Sequence, residues 1–261
     1  MSRETVLEET EGGVRVLTLH RPEARNAFNR RLYLDLRDAL GDAAADDSVR
    51  VVILTGSPGA FTAGQDLGEM SAATAPGDGG PHPFAACMER VIGFDKPLVA
   101  AVNGVGVGLG LTILLHCDVV TIARGARLKV PFVSLGVVPE AASSYLLPLR
   151  VGHQAASEIF FTADWVSAER AVEIGLASRL FAPEELLRET RRLAARIALH
   201  PLGALRHTKR LVRAAHLDAV RAARVREDEA FAQRVGSPEN VEAIEAFFEK
   251  RPADFSNIDP G

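Results

Sequence analysis

The stretch Val99–Asp118, VAAVNGVGVGLGLTILLHCD, constrains the fold of this chain more than any other. Its pattern predicts a short apolar strand over 99–102, a turn with four alternating glycines over 104–110, and then a buried helix. Glycines allow positive φ and close backbone approach, and a helix start leaves N–H groups unpaired. Two interpretations are open: an oxyanion or anion site at Gly108–Gly110, or a tight strand-to-helix crossover that binds no ligand.

Several better-known motifs are excluded by counting. A dinucleotide fingerprint that began at Gly104 or Gly106 would need glycine at position 109 or 111, and leucine stands at both. No Gly-Lys-Ser/Thr follows, so the stretch is not a phosphate-binding P-loop. The pair Ser143-Ser144 lacks the GxSxG context of a nucleophile elbow. The seven histidines show no ligand spacing, so no metal is expected.

Charge and cysteine content narrow the class of protein further. A net charge of −4 offers no field for nucleic acid or an anionic membrane, and neither is expected as a partner. The two cysteines, Cys87 and Cys117, lie far apart and are expected to be buried thiols in a reducing compartment. The first ten residues contain no apolar signal region, and no apolar run approaches the ~18 residues of a membrane span. We therefore expect a cytoplasmic protein.

The remaining pattern predicts alternating strands and helices, followed by a helical tail. Strand-like runs stop near His200-Pro201, where alanine, arginine and glutamate take over. The apolar face of such a tail is expected to pack on another surface, favouring a second subunit. The loop Ser71–Pro83, rich in Gly and Pro, is expected to be a lid over a site or a tolerated loop. Strands are predicted at 14–20, 51–55, 119–123 and 126–130, and helices from Asn29, Ser167, Pro183 and Ser237.

Glu140 is the sole acidic residue in the segment PFVSLGVVPEAASSYLLP. A carboxyl group among valine, alanine and leucine has a raised pKa and can carry protons near neutral pH. The alternative is an exposed residue in the first turn of a helix that Pro139 begins. Both interpretations stay open on these residues alone. The acidic cluster Glu227-Asp228-Glu229 is expected to be a solvated helix face.

Seven segments together resemble the crotonase superfamily, also called the enoyl-CoA hydratase/isomerase family. They are RPEARNAF at 21–28, VVILTG at 51–56, AFTAGQDL at 60–67, KPLVAAVNG at 96–104, CD at 117–118, FFTADWVSAERA at 160–171 and AFFEKRPADF at 246–255. The resemblance implies an α/β fold: a spiral of ββα repeats over 1–200, then a C-terminal helical trimerisation region over 201–261. It also implies an acyl-CoA thioester as substrate, no separate cofactor, and assembly as a homotrimer or a hexamer.

The same resemblance assigns roles to individual residues. The backbone N–H groups of Gln65 and Leu109 would hold the thioester oxygen, in agreement with the glycine-turn argument. Such a donor can contribute ~3–4 kcal/mol to the stabilisation of an enolate. Phe247 and Lys250 would reach the adenosine-phosphate end of coenzyme A, often from a neighbouring subunit. The residues assigned to substrate binding are Arg25, Ala63, Gly64, Asp66, Leu67, Gly108, Phe247 and Lys250.

The chain departs from the hydratase pattern where two glutamates would position the water. Thr112 and Phe132 stand at the matching positions. The segment from 131 to 145 is similar to the Δ3,Δ2-enoyl-CoA isomerases of the peroxisomal type, whose single catalytic glutamate corresponds to Glu140. Moving a double bond needs one base, so isomerisation is the leading hypothesis. The alternatives are another crotonase reaction, such as hydration with Glu140 acting alone, and acyl-CoA binding without catalysis.

Overall fold

The computed structural model describes residues 3–72 and 82–258, and two β-sheets organise the part of the chain before residue 182. The strands are β1 Val6–Glu11, β2 Val14–Leu19, β3 Val51–Gly56, β4 Ala60–Thr62, β5 Leu98–Val102, β6 Val105–Val107, β7 Val119–Ala123, β8 Arg127–Lys129, β9 Val166–Ser167 and β10 Arg179–Phe181. The helices are α1 Arg30–Ala45, α2 Leu67–Ala72, α3 Pro83–Gly93, α4 Leu109–Thr112, α5 Ser143–Val151, α6 His153–Thr162, α7 Ala168–Glu173, α8 Leu186–Ala198, α9 Leu202–Ala214, α10 Leu217–Arg234 and α11 Pro238–Glu249. Short 3-10 helices span Pro22–Ala24, Ile113–His116 and Val133–Leu135.

The larger sheet has the strand order β1-β2-β3-β5-β7-β10, and the smaller sheet has the order β4-β6-β8-β9. Pairing is parallel from β2 to β10 in the larger sheet and from β4 to β8 in the smaller one. The strands β3 and β5 are buried along their whole length, and α8 packs against β2, β3, β5 and β7. Their continuous apolar runs are typical of parallel strands covered on both faces.

A strand-pair repeat connects the two sheets. Each of β3, β5 and β7 lies in the larger sheet, and the next strand of the chain crosses into the smaller sheet. Helical segments follow each pair: α2 and α3, then α4, then the 3-10 turn at 133–135 with α5. This arrangement confirms the predicted α/β fold with its ββα repeats. The repeat also corrects one detail, because the glycine stretch contains the short strand β6 where a continuous turn was predicted.

The helical tail is present as α9, α10 and α11. Within one chain, α10 packs against α5, and α11 packs against the turn at 133–135. Leu211 and Val212 on α9 are 76% and 70% exposed, so these two apolar residues are largely uncovered within the described chain. The boundary at residue 200 and trimerisation through this tail remain predictions. The predicted lid lies largely outside the described residues, which omit 73–81.

The residues that mark helix starts were the most accurate part of the sequence prediction. Asn29, Ser167 and Ser237 each cap a helix, accepting a hydrogen bond from the backbone N–H three residues later. The helix predicted from Pro183 begins slightly later, at Leu186. The strand β1 was missed because its sequence, VLEETE, does not alternate apolar and polar residues. In the structure only its first residue, Val6, is buried among the six of this strand.

Candidate active site

The glycine stretch combines tightly packed glycines with an open one. A methyl group on Gly106 would lie 2.7 Å from Leu128 Cδ2, and one on Gly110 would lie 2.9 Å from Thr62 O. These two glycines therefore permit close packing of the two strand-turn segments. Gly108 differs, because it has φ +53° and nothing lies within 4 Å of the position of a side chain there. The turn thus packs tightly on both sides of Gly108 and is open at Gly108 itself.

On the neighbouring turns after β4 and β6 lie two backbone N–H groups that have no hydrogen-bond partner in the described part of the chain. Phe28 donates to Gly64 O at 2.7 Å and accepts from the Asp66 N–H at 3.0 Å, so the Gln65 N–H between them is not used. Leu109 is the first residue of α4, so its N–H has no intrahelical partner. Among residues 3–72 and 82–258, neither amide donates a hydrogen bond.

Contact between Gly64 and Val107 brings these two turns together. A methyl group on Gly64 would lie only 2.4 Å from Val107 O, and Gly64 has φ +84°. No residue with a side chain fits this backbone position. The two unpaired amides therefore flank a close backbone contact, an arrangement that can stabilise a developing oxyanion.

Tyr33, which the sequence analysis did not single out, supports the Gln65 side of the site. Its hydroxyl donates to Gln65 Oε1 at 2.6 Å, and its ring contacts Phe28 and His82. Burial, assisted by the charge of Glu140, raises the pKa of Tyr33 well above its ordinary value, so the phenol remains a donor. The leucine spacing of α1 predicted the helix but carried no sign of this polar contact.

Glu140 lies against α4, one turn along from Leu109. Thr112 donates its hydroxyl to Glu140 Oε1 at 2.6 Å, and α5 begins only at Ser143. The alternative of an exposed carboxylate in the first helical turn is therefore wrong. Burial raises the pKa of Glu140 to about 7, opposed by the Thr112 hydrogen bond and reinforced by the nearby charge of Glu227. A carboxyl group with such a pKa can both accept and return a proton near neutral pH.

A strained bend carries Glu140. Ala141 and Ala142 have φ values of +59° and +60°, in the left-handed region that alanine avoids. His116 donates from Nε2 to Ala141 O at 2.7 Å, and Glu227 accepts from the backbone of Ala142. Burial lowers the pKa of His116 to about 4, which keeps the ring neutral at physiological pH. The expectation that Glu227 belongs to a solvated face is wrong, because it is only 5% exposed.

The two positions where hydratases of this type carry glutamates are occupied by groups that do not ionise near neutral pH. Thr112 is fully buried and contributes a hydroxyl donor. Phe132 is 5% exposed, and its ring centroid lies 6.3 Å from that of Phe160. Among the described residues, Glu140 is therefore the carboxyl group that contacts α4, and neither of these two positions supplies a second one.

The other predicted substrate-binding residues fall into two groups. The backbone carbonyl oxygen of Arg25 accepts from the Ala63 N–H at 3.0 Å, Asp66 pairs with Arg21 at 3.1 Å, and Leu67 begins α2, so these residues lie around the Gln65 turn. Phe247 and Lys250 lie at the end of α11. Within the described ranges, no hydrogen bond, ion pair or ring contact joins these two to the 63–67 turn.

Three further expectations concern metal ligands, thiols and membrane spans. In those residues, no group of three or more His, Cys, Asp and Glu side chains is arranged to hold a metal ion. Cys87 and Cys117 are free and buried, as predicted, and burial raises the pKa of each thiol to about 12. None of the described helices combines the length and apolar content that a membrane span requires.

Comparisons with known proteins agree with this fold. Residues 9–258 match the family model described as enoyl-CoA hydratase/isomerase. The chain is 37% identical to the 2,3-dehydroadipyl-CoA hydratase of Escherichia coli K12 over 93% of this chain and 94% of that protein. It is 30% identical to the 1,2-epoxyphenylacetyl-CoA isomerase of the same organism over 97% and 98%. A crystal structure of an enoyl-CoA hydratase/isomerase from Pseudoalteromonas atlantica covers 97% of this chain and 100% of its own, with a TM-score of 0.91 and 37% identity. The chain belongs to the enoyl-CoA hydratase/isomerase family.

Proposed function

We propose that this protein shifts the double bond of a 3-enoyl-CoA to give the 2-enoyl-CoA. The observation that carries the proposal is the single carboxyl group of Glu140, which lies against α4 while Thr112 and Phe132 occupy the hydratase acid positions. Bond migration needs one group that removes a proton and returns it, whereas hydration also needs a water held and activated.

The steps follow from the chemistry of the thioester. Glu140 removes a proton from C2, and the electron pair moves onto the thioester oxygen to give a dienolate. The N–H groups of Gln65 and Leu109 stabilise the negative oxygen, each contributing ~3–4 kcal/mol. Glu140 then gives the proton to C4, which leaves the double bond between C2 and C3. A pKa of about 7 suits both halves of this transfer.

The rest of the site is proposed on the same basis. Arg25, the turn 63–67 and Gly108 lie along coenzyme A, which enters as part of the substrate rather than as a separate cofactor. Phe247 and Lys250 contact its adenosine-phosphate end from a neighbouring subunit. The helices after residue 200 assemble the chain into a homotrimer or a dimer of trimers, and the protein works in the cytoplasm.

A second candidate reaction is the hydration of a 2-enoyl-CoA with Glu140 acting alone. The name of the 2,3-dehydroadipyl-CoA hydratase at 37% identity favours this reaction. Against it, hydratases of this type use two glutamates, and the described site supplies one. The 1,2-epoxyphenylacetyl-CoA isomerase at 30% identity is named for a third reaction, which differs from both of these.

Ultraviolet absorbance of the conjugated enoyl thioester separates the two reactions. Purified protein is incubated with 3-enoyl-CoA substrates of several chain lengths, and separately with the matching 2-enoyl-CoA substrates. Isomerisation increases the absorbance of the first set, whereas hydration decreases that of the second. We expect the increase, and we expect Glu140→Gln to reduce it ~10²–10⁴-fold. Wild-type turnover in Glu140→Gln, or hydration with no isomerisation, would overturn the proposal.

A further inference from the structure

A carboxylate from the tail holds the bend next to Glu140. Glu227, in the middle of α10, accepts from the Ala142 N–H at 2.5 Å and from the Ser144 N–H at 2.8 Å. Both oxygens are therefore used, and they act on residues 83 and 85 positions earlier in the chain. Glu227 is 5% exposed, so these two bonds form where water does not compete.

The bend that Glu227 holds is one that the chain would not adopt alone. Ala141 and Ala142 are left-handed in succession, and single left-handed residues other than Gly, Asn and Asp are already uncommon. Ser143 donates to Glu140 O at 3.0 Å, closing the turn on itself. Strained backbone of this kind persists when surrounding contacts over-determine it. Here those contacts are His116 on Ala141 O and Glu227 on the following amides.

Charges from several elements face this region. On α10, Arg224 and Asp228 lie beside Glu227, and Arg224 also bonds Glu89 of α3 at 2.5 Å. From the core, Thr112 bonds Glu140, Tyr33 lies within its electrostatic reach, and His116 is neutral. The charge of Glu227 acts to raise the pKa of Glu140, and that of Arg224 acts to lower it. The tail therefore sets part of the electrostatic environment of Glu140.

We propose that Glu227 is a positioning residue for Glu140: its carboxylate fixes the Ala141–Ala142 bend and so aims the Glu140 side chain at α4. This inference rests on the proposed function, in which Glu140 is the base. It assigns the α10 helix a part in the reaction as well as in assembly. A helix cap that only stabilised α5 would change the melting temperature and leave the chemistry of Glu140 unaltered.

Glu227→Gln tests the proposal, with Glu229→Gln as the matched control. Both substitutions remove one negative charge from α10, but Glu229 is exposed. In Glu227→Gln we expect kcat to fall about tenfold or more, because a small misplacement of the base is costly, with KM changed less than about twofold. Loss of a facing negative charge also lowers the pKa of Glu140, so the midpoint of the pH profile moves to lower pH. Glu229→Gln is expected to match the wild type in all three quantities.

Glu227→Asp provides a second variant, because it keeps the charge but cannot reach both amides. If Glu227→Gln fails to fold, the same expected loss of kcat is measured in Glu227→Asp. Wild-type kcat and pH midpoint in a folded Glu227 variant would overturn the proposal, even if its melting temperature falls.

A readout without substrate separates this proposal from the proposed function. The carboxyl carbon of Glu140 is followed by NMR in protein labelled with ¹³C-glutamate, and its signal is assigned by its absence in Glu140→Gln. Glu227→Asp keeps the charge, so weakening of the Thr112 bond through misplacement of Glu140 predicts a higher titration midpoint for that signal in this variant, whatever reaction the enzyme carries out. An unchanged midpoint contradicts the positioning proposal. Wild-type turnover in Glu140→Gln contradicts only the proposed function.

Discussion

Thr112 donates its hydroxyl to Glu140 Oε1 at 2.6 Å, from the position where hydratases of this type carry a glutamate. A second carboxylate there would repel Glu140, whereas a hydroxyl stabilises its ionised form. Thr112 thus replaces a glutamate that hydration would use, and it hydrogen-bonds Glu140, the carboxyl group proposed to carry out isomerisation. Leu109 is the first residue of the same short helix, so the contact holds Glu140 against the helix that begins with the proposed second oxyanion donor.

The pKa of Glu140 predicts the pH dependence of turnover. As a base, Glu140 must be ionised in the free enzyme, and its pKa is raised to about 7. We expect kcat/KM to rise about tenfold per pH unit below about 7 and to level off above that value. Steady-state isomerisation rates from pH 5 to 9, with protein stability checked at each pH, measure this profile. A profile already flat at pH 5 would mean that Glu140 is not the titrating base.

Removal of the Thr112 hydroxyl shifts this profile in a known direction. Its hydrogen bond favours the ionised form of Glu140, so Thr112→Val raises the pKa of Glu140. We expect the midpoint of kcat/KM to move up by about one to two pH units, since a bond to a charged group contributes ~1.5–3 kcal/mol and one pH unit corresponds to ~1.4 kcal/mol. Thr112→Ser keeps the hydroxyl and serves as the control, with a midpoint near that of the wild type. Equal midpoints in the valine and serine variants would refute the role of this bond.

Glu140 is also expected to reduce stability when it ionises. Its pKa is higher in the folded protein than the 4.5 of an unperturbed carboxyl, so the folded state binds more protons between pH 4.5 and 7. The free energy of unfolding therefore falls across that window as the pH rises. Glu140→Gln has no carboxyl group to ionise at this position, so its free energy of unfolding does not fall for this reason. The variant should therefore be more stable than the wild type at pH 8 and similar to it at pH 4.5.

Urea unfolding of both proteins at the two pH values, at one protein concentration, checks this prediction. Glu229→Gln, an exposed change on α10, controls for the loss of one negative charge. A variant that is less stable than the wild type at pH 8 would show that Glu140 stabilises the fold in its ionised form.

Local signals explain how much of the fold could be predicted from the sequence. Caps such as Asn29 and Ser237 act within three residues, and the buried run of β3 contains its own pattern. The strand β1 lacks a pattern because it lies at a sheet edge with one buried residue. In the glycine stretch, sequence could not show that Gly106 and Gly110 pack on protein while Gly108 is open, because that depends on β4 and β8.

The residues of the candidate site also fall into those that sequence motifs could predict and those that they could not. Glu140, Gln65 and Leu109 were proposed from motifs as site residues, and all three lie in or directly after the strand-pair repeats. Tyr33 and Glu227 could not be found by pattern, because each acts on a partner at least 32 residues away. The acidic run around Glu227 is the typical sequence of a solvated helix face, and only the packing of α10 on α5 reverses that interpretation.

The Gly64 contact gives a prediction with a matched control in the same chain. Gly64 and Gly125 have nearly equal φ values, +84° and +82°, but a side chain at Gly64 meets Val107 O at 2.4 Å and one at Gly125 meets nothing within 4 Å. Gly125→Ala should therefore cost only the ~1–2 kcal/mol of a left-handed residue. Gly64→Ala must also push the 63–67 turn away from β6, which moves the Gln65 amide relative to that of Leu109.

We therefore expect Gly64→Ala to lose stability beyond the control and to lower kcat about 10²-fold, the effect of removing one oxyanion donor. Thermal unfolding and isomerisation rates of both variants, measured side by side, provide the comparison. A Gly64→Ala protein whose turnover equals that of Gly125→Ala would show that the contact between the two turns does not align the amides, and that the enolate is stabilised elsewhere.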